Sequence, residues 1–167
     1  LRGEPLLHPR LPDFIIYAKS KCILETIINT NATMLDEKKS KDLISAGLDF
    51  IIFSFDGGTR ETYEKMRPGR FRKNRFENVY ENIKRFHSIR TDQQSALPYT
   101  KIQMIMTEET YKEKDSFFSL FSGLVDDVSV NQYSERGGNI SEFNDETKVL
   151  YENALNIHDL PEGSPYM

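Results

Sequence analysis

The sequence predicts an α/β fold built on a parallel sheet, and three observations carry that reading. Four short runs, "CILETIINT" from Cys22, "LDFIIFSFD" from Leu48, "YTKIQMIM" from Tyr99 and "DDVSVNQY" from Asp126, have the Ile, Val, Phe and Tyr content of strands. Segments with helical spacing separate them, which is the alternation of right-handed βα units. The second run is almost continuously apolar, as in a strand covered on both faces. The pattern alone does not separate an open sheet from a (β/α) barrel.

Taken in order, "LPDFIIYAKSK" places Pro12 in a first helical turn, ahead of an apolar run. Cys22 opens the first strand and reads as a core thiol. Asp36 is placed to cap a helix through "EKKSKDLISA", which Gly47 ends in a left-handed conformation. After the second strand comes "TRETYEKM", with Thr59 and Thr62 as candidate caps. Phe76, Val79, Tyr80, Ile83 and Phe86 then form one helical stripe, with Glu77, Glu81, Lys84 and Arg85 mainly off it. A helix is expected over 111–124, where Phe117, Phe118, Leu120, Phe121 and Leu124 make a wide apolar face and Gly123 marks the end. From Gly137 the order weakens into a loop, "GGNISEFND", a short helix, "ETKVLYENAL", and a tail. The chain thus divides into a βα core, 1–136, and a loop, short helix and tail, 137–167.

The 167 residues are enough for one domain with a core. Twenty-two basic and 26 acidic side chains leave a net charge of -4, which gives no global case for nucleic acid. No stretch is apolar for long enough to span a membrane, and no signal-peptide pattern precedes the first helix. One cysteine cannot staple the fold or build a thiolate site alone, so a reducing, cytoplasmic setting is the default. The sequons at Asn31 and Asn139 read as chance matches. In "RPGRFRKNR", the residues Arg70, Arg72, Lys73 and Arg75 read as a solvated loop between helices. His8, His87 and His158 lack ligand spacing. Glu108-Glu109 and Asp126-Asp127 read as a helix start and a turn rather than as paired acids.

In parallel α/β folds, chemistry gathers where strands end. Gly3-Glu4-Pro5 precedes the first helix, and the first strand ends in Thr30-Asn31. The second ends in Ser54-Phe55-Asp56-Gly57, and the last in Gln132-Tyr133-Ser134, followed by Glu135-Arg136-Gly137-Gly138. An acid, a hydroxyl and an Arg-rich loop together favour a polar ligand. Glu4 suits an ammonium, Gly3 admits close backbone approach, and Pro5 stiffens the turn.

Three stretches, "GEPLLHP", "TIINTNATML" and "GLDFIIFSFDGGTRETYEKMRPG", occur in an order that resembles the radical S-adenosylmethionine (AdoMet) enzymes. The likeness runs from Leu1 to about Phe86, and "VNQYSERGGN" is similar to the last strand of members with a SPASM extension. The resemblance implies a partial (β/α)6 TIM-like barrel holding the later βα units. It makes Gly3, Glu4 and Pro5 the segment that binds the AdoMet ammonium. Ser54 and Arg67 match positions for the AdoMet carboxylate or ribose, with Asp56 beside them and Thr30 and Asn31 on the neighbouring rim. Two positions depart: Arg2 stands where the family has the first glycine of its doublet, and Ala32 where it has the glycine of Thr-Asn-Gly-Thr.

The family's CxxxCxxC motif, which holds a [4Fe-4S] cluster, lies ahead of the glycine-glutamate segment and so is expected upstream of Leu1. The resemblance implies one-electron cleavage of AdoMet to a 5′-deoxyadenosyl radical that takes a hydrogen from a peptide, protein or carbohydrate-precursor substrate, with flavodoxin or ferredoxin as electron donor. The 167 residues alone are expected to be inactive, and residues 137–167 to lead toward a C-terminal extension. The competing readings are a non-catalytic AdoMet-like binding or scaffold domain, and an ordinary (β/α) hydrolase or isomerase, for which no acid/base pair stands out.

Overall fold

A computed structural model describes residues 3–67 and 75–132. Arg2, most of the Arg-rich stretch, the segment after Gln132, the Asn139 sequon and His158 lie outside the described residues. Four parallel strands form one sheet in the order β1 (Ile27–Thr30), β2 (Phe50–Ser54), β3 (Tyr99–Met106), β4 (Asp127–Gln132). Helices α1 (Leu11–Ser20), α2 (Glu37–Ser45), α3 (Arg60–Met66), α4 (Phe76–Asp92), α5 (Glu108–Tyr111) and α6 (Lys114–Phe121) alternate with them. The expected order of elements and the partial-barrel α/β class both hold.

The two sheet faces differ. On the outer face Ile28, Thr30, Ile51, Phe53, Ile102 and Met104 are buried beneath the helices. Val79, Ile83 and Phe86 of the predicted α4 stripe supply much of that cover, with Phe86 edge-on to Phe53 at 5.8 Å. Phe55, just past β2, lies within 4.2 to 5.3 Å of Tyr63, Phe121 and Phe76, joining three helices in one aromatic cluster. Burying each such ring contributes about 2–3 kcal/mol. The inner face, carrying Asn29, Phe50, Ile52, Ser54, Tyr99, Lys101 and Gln103, is partly open.

Caps fall largely where the residue types place them. Asp36 accepts from the Lys39 N–H at 2.8 Å, and Thr59 rather than Thr62 caps α3. Gly47 is left-handed with φ 78°, as read.

Two expectations are corrected. The first strand is shorter than "CILETIINT", and Cys22 is exposed, not in the core. It closes α1 in a left-handed conformation (φ 56°): Cys22 N–H donates to the Lys19 carbonyl, and Ile23 N–H to that of Ala18. These are the hydrogen bonds of a Schellman end, with cysteine in the seat glycine usually takes. The helix expected over 111–124 is shorter, α6 running Lys114–Phe121 after a separate α5 that ends at Tyr111, while Gly123 follows its C-cap Ser122, marking the end as read. A reciprocal cap between Thr107 and Thr110 starts α5, and Glu113 gives its side chain to Gly58, Thr59 and Thr62 instead of capping α6.

Candidate functional site

The rim where β1 ends is built around Glu4. Its side chain caps the short 3₁₀ turn Pro5–Leu7 by accepting from the Leu6 N–H at 3.1 Å. The same oxygen takes the Thr30 hydroxyl at 2.5 Å, and the other takes the Asn31 N–H at 2.8 Å. The carboxylate therefore reaches across 27 residues to pin the Gly3-Glu4-Pro5 segment onto the end of β1. An ionised carboxylate has about four acceptor positions, and three are filled. Gly3 has φ 120° and no atom near the position of a side chain, so the backbone beside Glu4 is open to approach. Ala32 lies buried with φ 56°, which is why a glycine suits that turn; the α4 residue Asn82 fixes its carbonyl at 2.9 Å.

A second assembly forms where β2 ends. The Ser54 hydroxyl donates to Asn29 Oδ1 at 2.8 Å. Asp56 accepts from the Ile105 N–H at 3.0 Å on one oxygen, and from Arg67 Nε and Nη2 at 2.8 and 2.7 Å on the other. Arg67 thus belongs to a structural pair, while Asp56 ties the β2 loop to β3. Between them Gly57 (φ 145°) and Gly58 run so close to α3 and Glu113 that a Cβ would meet Tyr63 N at 2.6 Å or the Glu113 carbonyl at 2.5 Å. Glu113 closes this turn by accepting from Gly58 N–H, Thr59 N–H and the Thr59 and Thr62 hydroxyls, all within 3.0 Å. Burial opposes its charge, but those four donors prevail and hold its carboxyl below the usual range. Burial pushes the nearby Tyr63 phenol up to about 12, so it stays protonated at neutral pH.

Across the open inner face a polar row joins all four strands. Ser54 bonds to Asn29 on β1 and stands in register with Gln103 on β3, whose Oε1 accepts from Asn131 Nδ2 of β4 at 2.9 Å. Lys101, two residues before Gln103, pairs with Asp127 at 2.7 Å. Phe50 and Tyr99 close the far end with ring centroids 5.1 Å apart. Concavities of about 230 and 250 Å³ lie instead beside α2, and neither includes Glu4, Ser54 or Asp56.

A family model described as the Radical SAM superfamily matches residues 2–120. The chain belongs to that superfamily. Curated relatives include a GTP 3′,8-cyclase of Chlorobaculum tepidum, 37% identical over 84 residues, or 50% of this chain and 24% of that protein. Another is the tungsten-containing aldehyde ferredoxin oxidoreductase cofactor-modifying protein of Pyrococcus furiosus, 27% identical over 115 residues, or 66% of this chain and 30% of the relative. The chain therefore spans less than a third of the length of these relatives. Streptococcus suis SuiB, solved with S-adenosylmethionine and with its precursor peptide SuiA, shares the fold, with TM-scores of 0.67 and 0.68 at 18% identity. The SuiA complex covers 93% of this chain and 34% of SuiB.

Of the residues singled out in this radical SAM chain, Glu4, Thr30 and Asn31 are bonded together, Asp56 and Arg67 form a second pair, and Ser54 joins the inner row. Sequence reasoning missed Glu113, Asn29, Gln103 and Asn131. Inner-face polarity at alternate strand positions was the signal available for the last three. No group of three or more His, Cys, Asp or Glu side chains is placed to hold a metal among the described residues. No helix among them is long and apolar enough to cross a membrane.

Proposed function

We propose that this chain is the AdoMet-holding part of a radical AdoMet enzyme, with Glu4 as the acceptor for the AdoMet ammonium. The supporting observation is the Glu4 carboxylate, held by Leu6, Thr30 and Asn31 with one acceptor position left beside an open glycine backbone. Thr30 and Asn31 orient Glu4, and Pro5 stiffens the segment that carries it. Ser54 is the candidate for the AdoMet ribose, whose hydroxyls can donate to the lone pairs left once its own O–H goes to Asn29 Oδ1; binding the AdoMet carboxylate would require that O–H to turn from Asn29. Arg67, which the resemblance puts at the same carboxylate or ribose, is engaged by Asp56 and serves there by bracing the β2 loop.

The chemistry AdoMet supplies when bound is one-electron cleavage of a carbon–sulfur bond, followed by hydrogen abstraction from substrate. This chain's part is to fix the ammonium and keep water out. The [4Fe-4S] ligands are expected ahead of Leu1, the donor is a flavodoxin or ferredoxin, and the setting is cytoplasmic. Residues 1–136 are the barrel part and 137–167 lead toward a further segment.

The deciding test is the reading frame upstream of the Leu1 codon. A CxxxCxxC there, with a cluster on anaerobic reconstitution of the native-length gene product, supports the reading. A frame without those cysteines turns it into a non-catalytic binding domain. In the reconstituted protein, Glu4→Ala is expected to weaken AdoMet binding at least about tenfold, the loss of one charge-assisted hydrogen bond. Unchanged binding refutes the role given to Glu4.

A further inference from the structure

We propose that the open inner face binds a neutral, extended peptide segment through the side-chain amides of Asn29, Gln103 and Asn131; the inference rests on the radical AdoMet reading and names its substrate class. The row of Asn29, Ser54, Gln103 and Asn131 is continuous across the sheet. Its internal bonds use the Asn29 and Gln103 carbonyls and the Asn131 amide N–H. That leaves, among the described residues, the amide N–H groups of Asn29 and Gln103 as donors, alternating with the lone pairs of Ser54 and Asn131 as acceptors.

A peptide offers that same alternation of N–H and C=O. Adjacent strands are about 4.8 Å apart, so four span roughly 14 Å, close to the roughly 13 Å of four extended residues. A ribose diol is far shorter than the row and fills two neighbouring places on it. Ser54 stands where cofactor and peptide meet.

The row itself carries no charge. On the described strands of the inner face the cation is Lys101, already compensated by Asp127 at 2.7 Å. A triphosphate requires several uncompensated cations, in the manner of Arg and Lys clamps. An uncharged row is suited to amides.

The test is saturation-transfer difference NMR on the native-length gene product, using N-acetyl-tetraalanine amide as the neutral probe, with GTP and AdoMet in separate titrations. The probe is expected to bind, and Gln103→Leu and Asn131→Leu each to weaken it about tenfold while AdoMet affinity changes less than about twofold. Both side chains lie on the open face, so the fold is expected to survive; circular dichroism of each variant checks this. Probe binding equal in wild type and variants overturns the proposal. So does displacement of the probe by GTP, or an equal loss of AdoMet affinity, which would make the row part of the cofactor site. Glu4→Ala separates the two readings. If it spares AdoMet binding while the row variants lose the peptide, the cofactor role of Glu4 fails and the peptide site stands.

Discussion

Asp126 takes the backbone N–H and the hydroxyl of Thr100 on one carboxylate oxygen, each at 2.7 Å, and its own N–H returns to the Thr100 hydroxyl at 3.0 Å. Asp49 and Thr26 repeat the arrangement at 2.7, 2.7 and 3.3 Å. In each case a cation from the last turn of a helix completes it, Arg90 of α4 for Asp126 and Lys19 of α1 for Asp49. The same lock therefore fastens the starts of β1 and β2, and of β3 and β4. The adjacent acids Asp126-Asp127, read from sequence as a turn, are one lock residue and one inner-face ion pair.

Replacing Asp126 by Asn leaves the buried Arg90 without its charged partner. The expected cost is about 2 kcal/mol, allowing for the partial exposure of Asp126. Urea unfolding measures it; a change under about 0.5 kcal/mol would put the lock among ordinary surface pairs.

Acid should find the same site. Burial opposes the Asp126 charge, but the Arg90 and Thr100 hydrogen bonds prevail and bring its pKa from 3.8 down to about 2. The unfolded chain thus binds more protons between those values. The stabilisation is complete above 3.8 and lost as pH falls toward 2. Unfolding free energy against pH is expected to slope less steeply over that interval in Asp126→Asn than in wild type.

Glu113→Ala frees the Gly57-Gly58 turn and strands four donors. A loss of about 2–3 kcal/mol is expected, with Glu113→Gln intermediate. Gly57→Ala meets both a left-handed φ and a Cβ contact at 2.6 Å, so a loss above about 3 kcal/mol, or insoluble protein, is expected. Thermal melts of the three variants rank them.

Cys22→Gly removes a Cβ from a left-handed helix end. It is expected to stabilise the chain by about 0.5–1 kcal/mol, whereas Cys22→Ser leaves stability nearly unchanged. In the native protein the thiol is expected to react with a disulfide reagent without prior unfolding, because it is exposed.

The order of elements was legible because each strand and helix carries its own local pattern. Val79, Ile83 and Phe86 mark a helix face without help from any neighbour. Cys22 misled because "CIL" has strand composition, while the hydrogen bonds of Cys22 and Ile23 to the end of α1 decide its conformation. The helix over 111–124 read as unbroken because Phe117 and Phe121 keep helical spacing; the interruption before α6 falls at Glu113, whose partners are more than 50 residues away. On the rim, Glu4 was visible as an acid beside a glycine. Its dependence on Thr30 and Asn31, and the engagement of Arg67 by Asp56, needed the fold.

The two locks stand where the strands begin, and Glu4, Asp56 and the amide row stand toward where they finish. Persistence belongs to the locks and to the cofactor rim, and innovation to the amide row beside that rim. A lineage can exchange residues in that row, and so change what it recognises, without loosening what keeps the strands side by side. Selection at the starting end then preserves the Asp, the Thr and the cation together, since any one lost leaves the others exposed to purging. Drift in this chain's descendants should be slow at the lock residues and at the cofactor-facing rim of Glu4, Thr30 and Asn31, and fastest in the amide row of Asn29, Gln103 and Asn131.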